Sequence, residues 1–104
     1  MQQDDPPDGG PADAALDPVA AVILDRLQAL QPDETLTPDD AARAFAELKR
    51  KPKDGRDLYK RYRQAVKQQA IHLARQGRID IVRKGEAVDP DDFKGLWRMR
   101  LKRD

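Results

Sequence analysis

Hydrophobic positions in this chain fall first at helical and then at alternating spacing. Val19, Ile23, Leu27 and Leu30 recur at intervals of four, four and three, with Val22 and Leu24 beside them, and form one apolar stripe. Asp17 reads as the cap, Pro18 occupies the first helical position and Pro32 lies just past the end, so the first helix is expected from 18 to about 30. Thr35 and Leu36 in the connector can make an isolated strand bridge. Thr37 and Pro38 then repeat the start signal, with Asp40 in the place of a capping-box acid. Ala41, Phe45 and Leu48 are expected to face the core from this second, alanine-rich helix. The segment 49–56 carries five positive charges with Pro52 and Gly55, and reads as a loop.

A long basic amphipathic helix follows over 57–77, with Asp57 as its cap and Gly77 as its left-handed end. At about 100° per residue, Leu58, Tyr62, Val66, Gln69 and Leu73 fall on one side, with Tyr59 and Ala70 at its margin. Lys60, Gln64, Lys67, Gln68, Arg75 and, nearer the border, Arg61 fall on the other, and Ile71 lies among them without an evident role. Past Gly77 the period becomes two. Ile79 and Ile81 share one face and Arg78, Asp80 and Val82 the other. In the returning strand Trp97, Met99 and Leu101 point inward while Arg98 and Arg100 point out. The intervening residues 84–95 read as a long hairpin connection folded back on Val88 and Phe93. The expected fold is therefore mainly α with a small β-hairpin, a winged helix-turn-helix of three helices plus a two- or three-stranded antiparallel sheet.

Composition trims this to one domain. Residues 1–15 are rich in Asp, Pro, Gly and Gln and are expected to be a disordered acidic tail; 25 large apolar residues from Leu16 onward supply a single core over 16–104. No apolar run is long enough for a membrane span or follows a basic start as in a signal peptide, so a cytoplasmic protein with no membrane partner is expected. The net charge of +1 hides an asymmetry. Residues 1–42 hold ten acids against one base, whereas 43–104 hold 19 bases against nine acids. Such a split marks a polyanion-binding part beside an acidic one, or a solvated surface of mixed sign. The sequence has no Cys, no Ser and a single His, which removes thiol and serine nucleophiles, disulfides and multi-histidine zinc sites. Neither an enzyme nor a cofactor is expected.

The residues also resemble a known family. Tyr59-Lys60, Val66, Leu73, Gly77-Arg78-Ile79, Lys84-Gly85, Val88-Asp89-Pro90, Gly95, Arg98 and Arg100 are similar to the pattern of a small bacterial family catalogued as domain of unknown function 3253. The family tends to have Trp-Arg where this chain has Tyr59-Lys60. It usually places a proline and an aliphatic residue where this chain has Leu96 and Trp97, and the Lys53-Asp54-Gly55 loop is less typical. The resemblance spans about Val19 to Arg103. It implies a winged-helix-like fold and no catalytic residues.

Two functions fit these patterns. In the first, the 57–77 helix enters a DNA major groove with Lys60, Arg61, Gln64, Lys67 and Gln68 at base edges and phosphates, while Arg83, Lys84, Lys94, Arg98 and Arg100 grip the backbone from the hairpin. The acid-free outer face favours this reading, since a merely soluble helix mixes in Glu four residues from its bases. In the second, the same shape holds an acidic protein or a second copy of itself, supported by the acids of 86–92 and an exposed Ile71. Whether the chain is a monomer or homodimer is left open. Asp89, Asp91 and Asp92 fail the spacing of a calcium loop, and Asp89 is expected to cap a turn at Pro90 or to pair with Arg98 or Arg100. His72 falls on the polar border of the helix. Trp97, Tyr59 and Tyr62 suit core packing better than base stacking. The acidic tail folded over the basic face as a nucleic-acid mimic is a further expectation.

Overall fold

The computed structural model of the chain describes residues 16–102. The tail of 1–15, expected to be disordered, and residues 103–104 lie outside the described residues. The elements are α1 (Pro18–Gln28), α2 (Pro38–Lys49), a 3-10 segment (Arg56–Tyr62), α3 (Arg63–Arg75), β1 (Ile79–Arg83), β2 (Glu86–Val88) and β3 (Arg98–Leu101). This is the expected mainly α chain with a small antiparallel sheet, and its order is consistent with a winged helix.

Both early caps form as the sequence requires. Asp17 Oδ1 accepts from the Val19 N–H at 2.7 Å, and Thr37 Oγ1 from the Asp40 N–H at 3.0 Å. α1 buries Val19, Ala20, Ile23, Leu24 and Leu27. It ends at Gln28, short of Leu30, because Ala29 already turns back onto the carbonyls of Asp25 and Arg26. In α2 the buried residues are Ala41, Ala42, Phe45 and Ala46, and Leu48, expected in the core, is 71% exposed. The alanines decide this. They let α2 approach its neighbours along the arc from Ala41 to Ala46, and at about 100° per residue Leu48 lies roughly 90° from the middle of that arc.

The expected continuous 57–77 helix is instead two pieces. Residues 56–62 wind as a 3-10 helix capped by the Gly55 backbone; Asp57 makes no cap. In a 3-10 helix residues three apart eclipse each other. That alignment turns Tyr59 and Tyr62 together toward α2, where the Tyr62 ring meets Phe45 edge-on at 4.9 Å and Arg43 lies over the Tyr59 ring at 4.1 Å. A regular α-turn would rotate the two rings apart. α3 then buries Val66, Ala70 and Leu73. It closes with Gly77 at φ 76°, the Gly77 N–H bonding Ala74 O and the Arg78 N–H bonding Leu73 O, each at 3.0 Å.

The sheet has the order β2-β1-β3, with β1 antiparallel to both neighbours. Residues 84–95 are not one long connection. Lys84 (φ 52°) and Gly85 (φ 84°) make a two-residue turn with both residues left-handed, which returns the chain at once as β2. The alternation hid this strand because Lys is an unusual first residue of such a turn. On the other side Leu36 bridges Met99, so the expected contact at Thr35 and Leu36 forms and the connector between α1 and α2 extends the sheet. Ile79, Ile81 and Met99 point into the core with Ile23, Val66 and Leu73. Val82, placed by alternation on the polar face, is 2% exposed as well.

Leu73→Ala is expected to lower unfolding free energy by about 2–5 kcal/mol, the usual cost of a cavity in a closed core, whereas Leu48→Ala stays within about 0.5 kcal/mol. Urea denaturation of the two variants measures both.

Candidate nucleic-acid interface

The ten candidate residues divide by what already holds them. Lys60 and Arg61 are exposed on the 3-10 segment and Gln64, Lys67 and Gln68 on α3. The nearest acid to this group is Asp57, whose carboxylate stands 3.8 Å from Lys60 Nζ. Lys84 is exposed in the hairpin turn, Lys94 in the loop before β3, and Arg98 at the start of β3, where its Nη1 is 3.4 Å from Thr35 Oγ1.

Arg83 and Arg100 have internal partners. Arg83 Nε donates to the Leu96 carbonyl at 2.9 Å, and its guanidinium lies so close over Gly95 that a Cβ there would stand 2.9 Å from Nη2. Gly95 also has a φ of 83°. Arg100 Nη2 donates to Asp80 Oδ2 at 3.3 Å in a partly buried cross-strand pair. Two acids of the β2–β3 connection are held in the same way, while Asp92 is exposed. Asp89 Oδ1 accepts from the Asp91 N–H at 2.8 Å and so caps the turn at Pro90, one of its two expected roles; Arg100 takes Asp80 instead. Asp91 receives Arg75 Nε at 2.6 Å.

That last bond explains Ile71. Lys67, Ile71 and Arg75 succeed one another at spacings of four along α3. Arg75 is tied to Asp91 and Lys67 Nζ lies 5.5 Å from the Phe93 ring, so residues 91–93 cross this stripe. Ile71 lies between the two contacts and is half-buried, not exposed. Lys60, Arg61, Gln64 and Gln68 stand clear of this crossing, and Lys67 and Arg75 remain exposed beside it. His72 is exposed on the polar border, its Nε2 3.2 Å from Gln76 Nε2.

A groove of about 840 Å³ runs between the start of α2 and the hairpin. Arg43, Lys84 and Arg98 line it, with Val82, Leu96 and Trp97 as its apolar part. Asp39, its acid, is gripped by a forked pair of bonds from Arg63 at 3.0 and 3.1 Å. The same carboxylate holds the Arg63 guanidinium above its ordinary pKa. Arg63 and Arg43 flank the Tyr59 ring at 5.2 and 4.1 Å, so this arginine pair joins the groove to the head of α3. The sequence carried no signal for Arg43, since only the tertiary placement of α2 across the groove from the hairpin brings it there. Tyr59, Tyr62 and Trp97 are half-buried against the core, as their spacing required.

The fold and the open basic surface define a small mainly α domain with a three-stranded antiparallel sheet. The chain belongs to the family described as protein of unknown function (DUF3253), whose pattern residues 16–102 match. No curated protein matches it. Among the described residues, no helix is long and apolar enough to cross a membrane.

Gly95→Ala and Arg83→Ala are each expected to cost about 1 kcal/mol, the first through strain at a positive φ and the second through loss of an exposed charged hydrogen bond. The double variant should cost less than the two together, because removing Arg83 removes what the new methyl meets. A double-mutant cycle by urea denaturation checks this.

Proposed function

We propose that this protein is a non-catalytic binder of duplex DNA, reading it with the head of the third helix while the hairpin holds the backbone. The observation that carries this is the charge of the helix. Between Leu58 and Ile79 the sequence has six Lys and Arg and no acid; of the acids beside that surface, Asp57 faces Lys60 at 3.8 Å and Asp39 and Asp91 are bound by Arg63 and Arg75. A surface so arranged leaves a net positive field among the described residues, and a phosphate backbone is the polyanion that such a field suits. Gln64 and Gln68 supply amides for adenine edges; Lys60 and Arg61 reach guanine or phosphate. Across the groove, Lys84 and Arg98 face the flanking backbone and Arg43 joins them. Lys94 stands beside Leu96 on the same loop. Arg83 and Arg100 support the hairpin that presents these groups.

The second reading, a module for an acidic protein partner, loses the exposed Ile71 and retains the exposed Leu48 and Leu96. The acids of the hairpin connection favour neither, since Asp89 and Asp91 are engaged within the fold.

Binding to a random-sequence duplex pool, measured at two salt concentrations beside a single-stranded RNA pool, tests the proposal. Affinity for duplex should fall steeply with salt, and Lys60→Ala or Arg98→Ala should each reduce the slope of log K against log salt by about one. A slope unmoved by both variants, or no duplex binding at about 50 mM salt where phosphate contacts are strongest, overturns it.

A further inference from the structure

We infer that Leu96 is an apolar wedge that enters a base step of the minor groove and kinks the duplex; this rests on the duplex-binding reading above. Leu96 is 91% exposed, the most exposed large hydrophobic residue among those described. Its backbone is nevertheless fixed. Gly95 turns the chain at a positive φ of 83°, the Arg83 guanidinium packs on that glycine, and Arg83 Nε holds the Leu96 carbonyl at 2.9 Å. Trp97 beside it packs edge-on against Phe93 with ring centres 5.6 Å apart, and Phe93 in turn carries Lys67 of α3. The loop is therefore anchored to both the sheet and the third helix while it holds a leucine out to solvent. Leu48, the other exposed leucine, sits on the last turn of α2 and has no such support.

What surrounds Leu96 names the occupant. It shares its groove with Arg43, Lys84 and Arg98, and Lys94 precedes it by two residues. The acid of that groove, Asp39, is neutralised by Arg63. An apolar tip ringed by cations fits a ligand whose outside is anionic and whose inside is flat and apolar, which describes the minor groove and its stacked bases. A helix in the major groove also leaves a neighbouring hairpin over the flanking minor groove, because the two grooves alternate along the duplex. Proteins that wedge a leucine between base pairs there bend the duplex toward the major groove.

The test uses the whole chain with a short duplex, carrying a flexible TA step and labelled at both ends for energy transfer. Wild-type protein should shorten the end-to-end distance by the amount of a kink of roughly 20–90°. Leu96→Ala should abolish most of that shortening and weaken affinity about three- to tenfold. It should leave the salt slope unchanged, because no charge is lost. Leu96→Met should preserve both bend and affinity. Binding with no bend, or the same bend in the alanine variant, overturns the wedge and leaves duplex binding standing. Failure of the wild-type chain to bind duplex at low salt overturns both.

Discussion

Two backbone hydrogen bonds, from Leu36 N to Met99 O and from Met99 N to Leu36 O, each 2.8 Å, decide where everything else can lie. Met99 has no exposed surface. Its neighbour on the other side is Ile81 of the central strand, so this bridge ties the connector between the first two helices to the middle of the sheet. Thr37 caps the second helix one residue later. The start of α2 is thus pinned beside the hairpin, and Arg43 is brought to the groove that holds Lys84 and Arg98. Breaking the bridge would strand buried N–H and C=O groups, which costs more than the bonds themselves contribute when exposed. The basic groove is a consequence of that backbone pairing, with the side chains added to it.

The cations then divide by chemistry. Five arginines hold the fold, while Arg61 and Arg98 stay exposed: Arg50 bonds the Gly55 carbonyl at 2.8 Å and Glu47 at 3.1 Å, Arg63 forks onto Asp39, Arg75 takes Asp91, Arg83 takes Leu96 and Arg100 takes Asp80. Lys51, Lys53, Lys84 and Lys94 stay in solvent. A planar guanidinium with several fixed donors loses little freedom per bond, whereas an ammonium on a flexible stem keeps its reach. The outward lysines therefore offer charge and reach, which the proposed phosphate contacts need more than geometry. In that proposal any preference for sequence falls to the two amides, Gln64 and Gln68, and to the cost of deforming the duplex.

What the sequence made legible was local. Asp17-Pro18, Thr37-Pro38 and Gly77 mark their helix ends through contacts within a few residues, and all three act as their residue types require. The errors share a different origin. Leu48 has the right spacing for a core position, but the direction from which the 3-10 segment, α3 and α1 meet α2 is not written in α2. The 3-10 segment arises because two tyrosines find Phe45 and Arg43 on another helix. Arg83 and Arg100 looked like free cations because their partners lie 13 and 20 residues away. Charge counted along the chain overstates charge available at the surface for that reason.

The β2–β3 connection sharpens this point for the third helix. By crossing the stripe of Lys67, Ile71 and Arg75, it half-buries Ile71 and engages the two basic residues on either side, which stay exposed. Under the proposed function, the duplex meets the N-terminal end of the helix, where Lys60, Arg61 and Gln64 are clear of the crossing and where the positive end of the helix dipole adds to the side-chain field. The crossing also engages two of the acids of this connection, since Asp91 faces Arg75 and Asp89 faces its own turn, while Asp92 stays exposed. In the proposed complex this segment therefore favours approach to one end of the helix, the end nearest the groove and its leucine.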